Sequence, residues 1–568
     1  MRKIWFVLLA LFVAFPASST STYADSVKVK AEASVTKSNV TVNGKTIRLS
    51  GFNIAGSNYY SLRDISKHLS GTTSEFDVKW NMGTNAIEIM KEQPYTPDNS
   101  IKQTSYSSNK SYTAILSNAK VIVNGALQQL KAYNIDGSNY FQLRDLAAQI
   151  PFEVEFDETS NQINIFSKAV ENTYRANVTS IINDNVVSSE FSRWKSPTLS
   201  YLINNGDQTV SVVEANQGVT IETYNTDFEL IENHTVDLEL PLFGGFYSGK
   251  TYNYIAFGQE NKEENDDKEV IRIVRYDKNF KRVDSLSIKG GESYTIEPFA
   301  HGSGRMAEHE NTLIFHTARK RYTTSDGLNH QSQLTIQVNT STMTVANDLG
   351  QFQKNHVSHS FDQYVQFDGS TPVLVDHGDA YPRSIVIHRG EGSNYTEADL
   401  FKIPGRIGAN ATGVSLGGFE LSNDYYMAAM NSIDHSSVTE YTSYEMVGLP
   451  RDQRDIILSL VPKANFNSAA AKQVTLSKYV GSDHIASIPK LVKRSDNDLI
   501  VLWQEFDMNN HLQDVKYVEI DGQGNTLGEI QSLPHYVLSE TDPIVVDNRI
   551  IWYTNVDGKR TFYTIPLQ

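Results

Sequence analysis

Residues 499–524 read LIVLWQEFDMNNHLQDVKYVEIDGQG. Leu499 to Trp503 is an unbroken apolar strand, Val515 to Ile520 is a second strand after a polar break, and Asp521-Gly522-Gln523-Gly524 has the composition of a tight turn. The strand-and-turn half of this design recurs at Val219 to Tyr224 with Asn225-Thr226-Asp227, at Ile271 to Tyr276 with Asp277-Lys278-Asn279, and at Leu334 to Val338 with Asn339-Thr340-Ser341. Less regular members centre on His388, Val461 and Thr564. The apolar strand upstream recurs as Tyr254 to Phe257, Leu313 to His316, Tyr425 to Ala428 and Ile550 to Tyr553. Seven such units, spaced by roughly 45–75 residues, predict a β-propeller of about seven four-stranded blades; the spacing leaves six or eight open. The last unit, Ile544 to Leu567, is one strand short, and Tyr174 to Ile182 is the segment that could complete it and close the ring. A pair of β-sandwiches or a β-helix is the rival architecture. Kelch double-glycine, Trp-Asp and sialidase Asp-box signatures are absent.

Working outward, the chain changes character at about Ala169. Before that point it contains an internal repeat with an offset of 81 residues. Val42-Asn43-Gly44 returns as Val123-Asn124-Gly125, Gly56-Ser57-Asn58-Tyr59-Tyr60 as Gly137-Ser138-Asn139-Tyr140-Phe141, and Leu62-Arg63-Asp64 as Leu143-Arg144-Asp145. After a deletion of five residues near Gly71 to Glu75, Phe76 to Asn81 matches Phe152 to Asp157. Asn-Gly suits a type I′ hairpin because both residues tolerate positive φ. Leu62, Ile65 and Leu69 form one apolar helical face, with Ser61 placed to cap it; the second copy has Gln142 there. Each copy thus reads as a small α+β unit of one helix on a curved sheet. Arg63-Asp64 and Arg144-Asp145 read as structural ion pairs at the helix starts, with recognition as the alternative.

These residues resemble the copper amine oxidase N-terminal-like domain, a stalk module of secreted proteins of Gram-positive bacteria. The resemblance covers residues 38–95 and 118–168 and implies a spacer or wall-contact role. It does not imply copper chemistry. A catalytic amine oxidase needs Asn-Tyr-Asp/Glu and a His-x-His pair, whereas Asn-Tyr is followed here by Tyr60, Phe141, Ile255 or Thr396, and His-x-His does not occur.

The N-terminus reads as a secretory signal: Arg2 and Lys3, the apolar run Ile4 to Phe15, Pro16, and Thr22-Tyr23-Ala24 before Asp25. The run is twelve residues long, too short to cross a hydrocarbon core of about 30 Å. The expected organisation is a signal at 1–24, a leader at 25–37, the first copy at 38–95, a linker with the first strand of the second copy at 96–117, the second copy at 118–168 and the propeller at 169–568. The chain has no cysteine, which excludes disulfides and thiolate metal sites. Losing Arg2 and Lys3 takes the net charge from −16 to −18. So acidic a chain repels phosphate backbones, which argues against nucleic acid as a partner.

Eight of the fourteen histidines fall between residues 301 and 388, among arginines and aspartates. His301, Arg305, His316, Arg319, His359, Asp376, His377, Asp379 and Arg383 are therefore the candidate ligand-binding residues, on strands and loops that a propeller could aim into one funnel. His356 and His359 are a poor chelating pair if they share a strand, Asp376 to Asp379 also reads as a self-satisfied turn, and Asp326-Gly327 as a hairpin. Asp521 to Gly524 lacks the further carboxylates of a calcium loop. No cofactor and no metal set is expected. The function expected is a secreted, extracellular or wall-associated binding protein for polysaccharide or protein. The alternative is a secreted carbohydrate-active hydrolase or lyase using the His/Arg/Asp cluster.

Overall fold

The computed structural model describes residues 29–567 except 44, 99–104, 158–159, 169–170, 180–183, 393, 410, 442–445, 448–451 and 557. The secretory-signal stretch lies outside the described residues, as do Gly44 of the first hairpin and the last part of the Tyr174 to Ile182 segment. No helix among the described residues is long and apolar enough to cross a membrane. The chain divides into two units, Met1–Lys168 and Ala169–Gln568.

Among the described residues of the second unit the strands form seven antiparallel blade sheets and one two-stranded ribbon, Glu440–Tyr441 with Met446–Val447. Blade one is Ser200–Asn204, Val210–Ala215, Gly218–Tyr224 and Leu230–Asp237; blade four is Ser360–Asp368, Thr371–Asp379, Arg383–Glu391 and Asn394–Lys402. The inner strands of the others are Leu242–Ser248, Gly304–His309, Val414–Leu421, Lys490–Ser495 and Ile544–Val546, and blades three and six each add a short fifth strand. The fourth strand of blade seven is supplied by Thr173–Thr179, which pairs antiparallel with Lys559–Pro566, Tyr174 opposite Phe562. The first strand of the unit thus closes the ring onto the last.

The turn residues that mark the repeat have a common role. Asn225, Asp277 and Asp521 each accept the backbone N–H of the residues two and four further on, at 2.8–2.9 Å. A short carboxylate or amide is the side chain that can do this, so the third-to-fourth-strand turns are rich in Asn and Asp.

Second strands are buried on both faces, because each blade is covered by a neighbour on either side; Val210–Ala215 and Asn253–Gly258 are buried throughout. The described residues form one apolar cluster at each blade interface. They differ in size. The blade four–five cluster has fifteen buried residues, whereas the blade three–four cluster has only Ala307, Ile314, Val365 and Leu374. The latter interface is completed by polar side chains, among them the buried His316–Asp376 pair.

The first unit departs from the expectation of two separate modules. A closed barrel takes three strands from each copy, in the order Lys30–Val35, Gly51–Ile54, Ser57–Ser61, Ser138–Phe141, Ala132–Ile135, Ser111–Leu116. The two copies meet at equivalent positions, Tyr60 opposite Phe141. Two flanking sheets exchange strands: Gln162–Ser167 of the second copy pairs parallel with Asn39–Val42 of the first, and Ala86–Lys91 of the first with Lys120–Val123 of the second. Helices Leu62–Leu69 and Leu143–Ala147 share one core, with Leu62, Ile65 and Leu69 beside Leu143 and Leu146. Neither copy covers its helix alone, so the duplication folds as one pseudo-twofold unit. Lys30–Val35, in the expected leader, is the first copy's counterpart of Ser111–Leu116.

Candidate functional site

Of the nine residues singled out from sequence, most are fixed to structural partners. His316 (blade three) and Asp376 (blade four) are fully buried and meet at 3.1 Å. Asn355 Nδ2 donates to Thr335 Oγ1 (2.8 Å), which directs the hydroxyl hydrogen to His316 Nδ1 (3.0 Å) and the Nε2 hydrogen to Asp376. Ser360 donates to the other Asp376 oxygen (2.6 Å) and accepts from Gln363 Nε2 (2.6 Å). The Thr–His–Asp string resembles a nucleophile–base–acid relay, but Thr335 and His316 are inaccessible. It packs one blade against the next.

Arg319 is buried and donates to the carbonyls of Ser293, Leu349 and Gly350. Burial, with Arg321 adding, pushes it down to about 9. Arg383 is caged likewise by the carbonyls of Asp379, Pro404, Ala409 and Ala411. His377 meets Thr412 (3.1 Å), and burial, reinforced by Lys195, Arg383 and Arg454, pushes it down to about 3. His359 pairs with Asp379 (3.0 Å), whose second oxygen is buried without a partner. His356 and His359 precede the strand Ser360–Asp368 and are not on it, and Asp376 to Asp379 ends a strand where a turn was an alternative. The structure brings His359, Asp379 and Arg383 together, and gives His316 and Arg319 separate partners. Strand alternation sends adjacent polar residues into different interfaces, so closeness in sequence does not become a shared pocket. Among the described residues no three His, Asp or Glu side chains come together in a way that could hold a metal ion.

Arg305 is the exception. It is the second residue of the blade-three inner strand, and such strands line the axis. Its Nη1 lies 3.5 Å from Asp542, just before the inner strand of blade seven, and its guanidinium lies over the Tyr364 ring of blade four at 4.9 Å. Lys490, which opens the inner strand of blade six, meets the other Asp542 oxygen at 2.8 Å. Tyr201, the second residue of the blade-one inner strand, accepts the Phe246 N–H of blade two (3.3 Å) and lies in the field of Arg305 and Asp542.

This belt is deep within the ring and yet wet. The Asp542 side chain is 50% exposed, although burial by the surrounding walls acts on it; Lys490 and Arg305 overcome that burial and hold it down at about 2. Burial pushes Tyr201 up to about 12, against the opposing pull of Arg305. Glu420, on the inner strand of blade five, is pushed up to about 7 by burial and by Asp542, with Lys493 opposing.

One end of the ring is crossed by the connector 184–199. Asn185 bonds Thr541 and Asn555 of blade seven, Ser189 bonds Asn510 of blade six, and Arg454 of blade five covers Phe191. Trp194 then packs against His301 with the rings tilted (4.5 Å, 38°) and meets Phe361 of blade four edge-on (5.1 Å). Thr198 accepts from Arg305 Nη1 (3.1 Å). The Lys195 ammonium makes no hydrogen bond or ion pair among the described residues; burial lowers its pKa, while Asp362 and Glu540 oppose this. Asp542, Lys490, Tyr201, Tyr364 and Lys195 escape sequence reasoning because they belong to no motif. The signal that could have found some of them is position, since Tyr201 and Arg305 occupy the same place in two inner strands.

Fold and site together define a seven-bladed β-propeller with a charged, water-reached axial belt, preceded by a duplicated α+β unit. No protein family and no curated protein matches the chain. Similar solved structures include the β-propeller domain of the Trilobed protease from Pyrococcus furiosus (11% identity, 66% of this chain and 97% of that one, TM-score 0.33). They include a Synechocystis apocarotenoid oxygenase mutant (10%, 75% and 85%, 0.29) and prolyl oligopeptidase B from Galerina marginata (9%, 76% and 50%, 0.33). Likeness at this level brings no activity with it.

Proposed function

We propose that this chain is an extracellular binding protein whose propeller receives a polar segment of a polysaccharide or protein at the axial belt. The observation that carries this reading is Asp542, held between Lys490 and Arg305 and still half open to water. Charged groups kept wet inside a rigid ring offer preorganised donors and acceptors, and preorganisation lowers the cost of binding. The groups that a hydrolase or lyase would use are closed into blade contacts, so binding is favoured over catalysis. The secretory signal and the resemblance to stalk modules support an extracellular, wall-associated setting in which the duplicated unit holds or spaces the propeller.

A glycan array and a pull-down on Gram-positive cell walls, with the mature chain, test this. Arg305→Ala is expected to lose at least one of the ligands that wild type retains, while Arg383→Ala changes stability and leaves affinity unaltered. Equal binding of every retained ligand by wild type and Arg305→Ala would remove the belt from consideration.

A further inference from the structure

We infer that the N-terminal unit carries a carbohydrate-binding groove of its own, shaped for a neutral pyranose chain and independent of the propeller belt. The groove encloses about 1020 Å³. One side is the start of the first helix with the strand Phe76–Asn81; the facing sides are Tyr95 to Asp98 with Tyr106 from the linker, and the hairpin at Asn134 to Tyr140. Trp80 projects from that strand, which lies at a sheet edge, and is 43% exposed. An indole left this open beside a preformed cavity is available as a stacking platform.

The walls are built. Tyr95 N–H donates to Ser70 Oγ (3.1 Å) and Thr96 N–H to Asp77 Oδ1 (3.0 Å). Asp77 is buried; this alone would raise its pKa, but the N–H groups of Thr96 and Val78 hold it below the usual carboxylate range. Tyr106 packs edge-on against Phe52 at 4.8 Å and accepts the Tyr140 hydroxyl at 3.2 Å.

The polar lining is charge-balanced. The ion pair expected between Arg63 and Asp64 does not form, because neighbouring helical residues do not face each other. Asp64 accepts the Ser50 N–H instead (2.9 Å), and Arg63 lines the groove with no hydrogen bond or ion pair among the described residues. Arg63, Lys67 and Lys79 are offset by Asp64, Asp98 and Asp136. A polyanion would favour an unbalanced basic lining, whereas aromatic faces with mixed donors and acceptors suit the C–H faces and hydroxyls of a neutral sugar chain.

The duplication supplies an internal comparison. In the second copy Phe156, 45% exposed, stands where the first has Trp80, Glu155 where it has Lys79, and Ala148 where it has Lys67. The segment bearing Tyr95 and Tyr106 follows the first copy only. Two copies of one scaffold thus share an exposed aromatic ring, and one has gained walls and donors around it.

The test is isothermal titration of the full mature chain with cellohexaose, chitohexaose and polygalacturonate, using wild type, Trp80→Ala, Trp80→Phe, Arg63→Gln and Arg305→Ala. Expected is binding of a neutral hexaose, weakened about tenfold or more by Trp80→Ala and Arg63→Gln, largely kept by Trp80→Phe, and unchanged by Arg305→Ala. Affinity should hold from about 0.1 M to about 1 M NaCl, across which the Debye length falls from ~10 Å to ~3 Å. Equal affinity of Trp80→Ala and wild type, exclusive binding of polygalacturonate with steep salt dependence, or failure of both neutral hexaoses to bind overturns the inference. Loss of hexaose binding in Arg305→Ala alone places the sugar in the propeller and also overturns it.

Discussion

Arg305 and Asp542 meet at 3.5 Å across the propeller axis, joining the inner strand of blade three to the start of blade seven. Every blade is otherwise tied mainly to its immediate neighbours, so this pair marks the place where the ring turns its polar groups inward.

The pair has a pH signature. Asp542 has a folded pKa lowered to about 2, below its unfolded value. It therefore contributes stability above the usual carboxylate range near ~3.9, and that contribution is lost as pH falls toward about 2. Differential scanning fluorimetry from about pH 7 to about pH 2 should show an added loss below about pH 4 in wild type. Asp542→Asn should flatten that segment. Identical slopes would mean that the carboxylate is not held by its two cations.

The His316–Asp376 contact is predicted to be structural. Asp376→Ala leaves His316, Ser360 and their partners unsatisfied in a dry interface and should cost about 1.5–3 kcal/mol in urea unfolding of the propeller. Affinity for the ligand should not change. Loss of affinity without loss of stability would return this cluster to candidacy as a site.

Ring closure depends on backbone pairing of the first strand. The Thr564 N–H donates to Asn172 O, so by antiparallel alternation the next hydrogen-bonded pair is Tyr174 with Phe562. Tyr174→Pro removes that bond together with the ring packed on Phe228 at 4.8 Å, while Tyr174→Ala removes the ring and keeps the backbone bond. Limited proteolysis should cut the Tyr174→Pro protein faster than the Tyr174→Ala protein. Equal resistance would show that closure rests on side-chain packing alone.

Much of this architecture is legible in the chain. The Asn and Asp turn residues recur because each has the same two N–H groups to satisfy, and the second strands stand out because both of their faces are covered. The missing strand of the last blade was legible because its unit counts one strand short of four. The joint fold of the two copies was not. Strand exchange leaves every local pattern intact and changes only the partner, so Val42 looks the same whether its sheet is completed by its own copy or by Ile165 of the other. The site was the least legible part. His316, Arg319 and Arg383 carry the residue types of chemistry, but His316 fills the contact between blades three and four, where the apolar cluster is small, and the two arginines are caged by backbone carbonyls.

One local difference between the copies was readable and carries a prediction. Ser61 caps the first helix at Asp64 N (3.4 Å), whereas Gln142 makes no such bond and its helix ends after Ala147. Gln142 already has the extended backbone of a cap, φ −73 and ψ 135. Gln142→Ser should therefore stabilise the N-terminal unit by about 0.5–1 kcal/mol, seen as a rise of about 2–4 °C in its melting transition. No rise would mean that the shorter helix is limited by its packing and not by its cap.

The most direct test of the binding proposal is titration of the mature chain, and of Asp542→Asn, with the wall polysaccharide or protein fragment retained in the pull-down. The expected result is saturable binding by wild type and affinity at least about tenfold weaker in Asp542→Asn, both measured near neutral pH at a temperature well below either melting transition, that of the variant being the lower because the ion pair is lost. Equal affinity of the two proteins would contradict the assignment of the axial belt as the site.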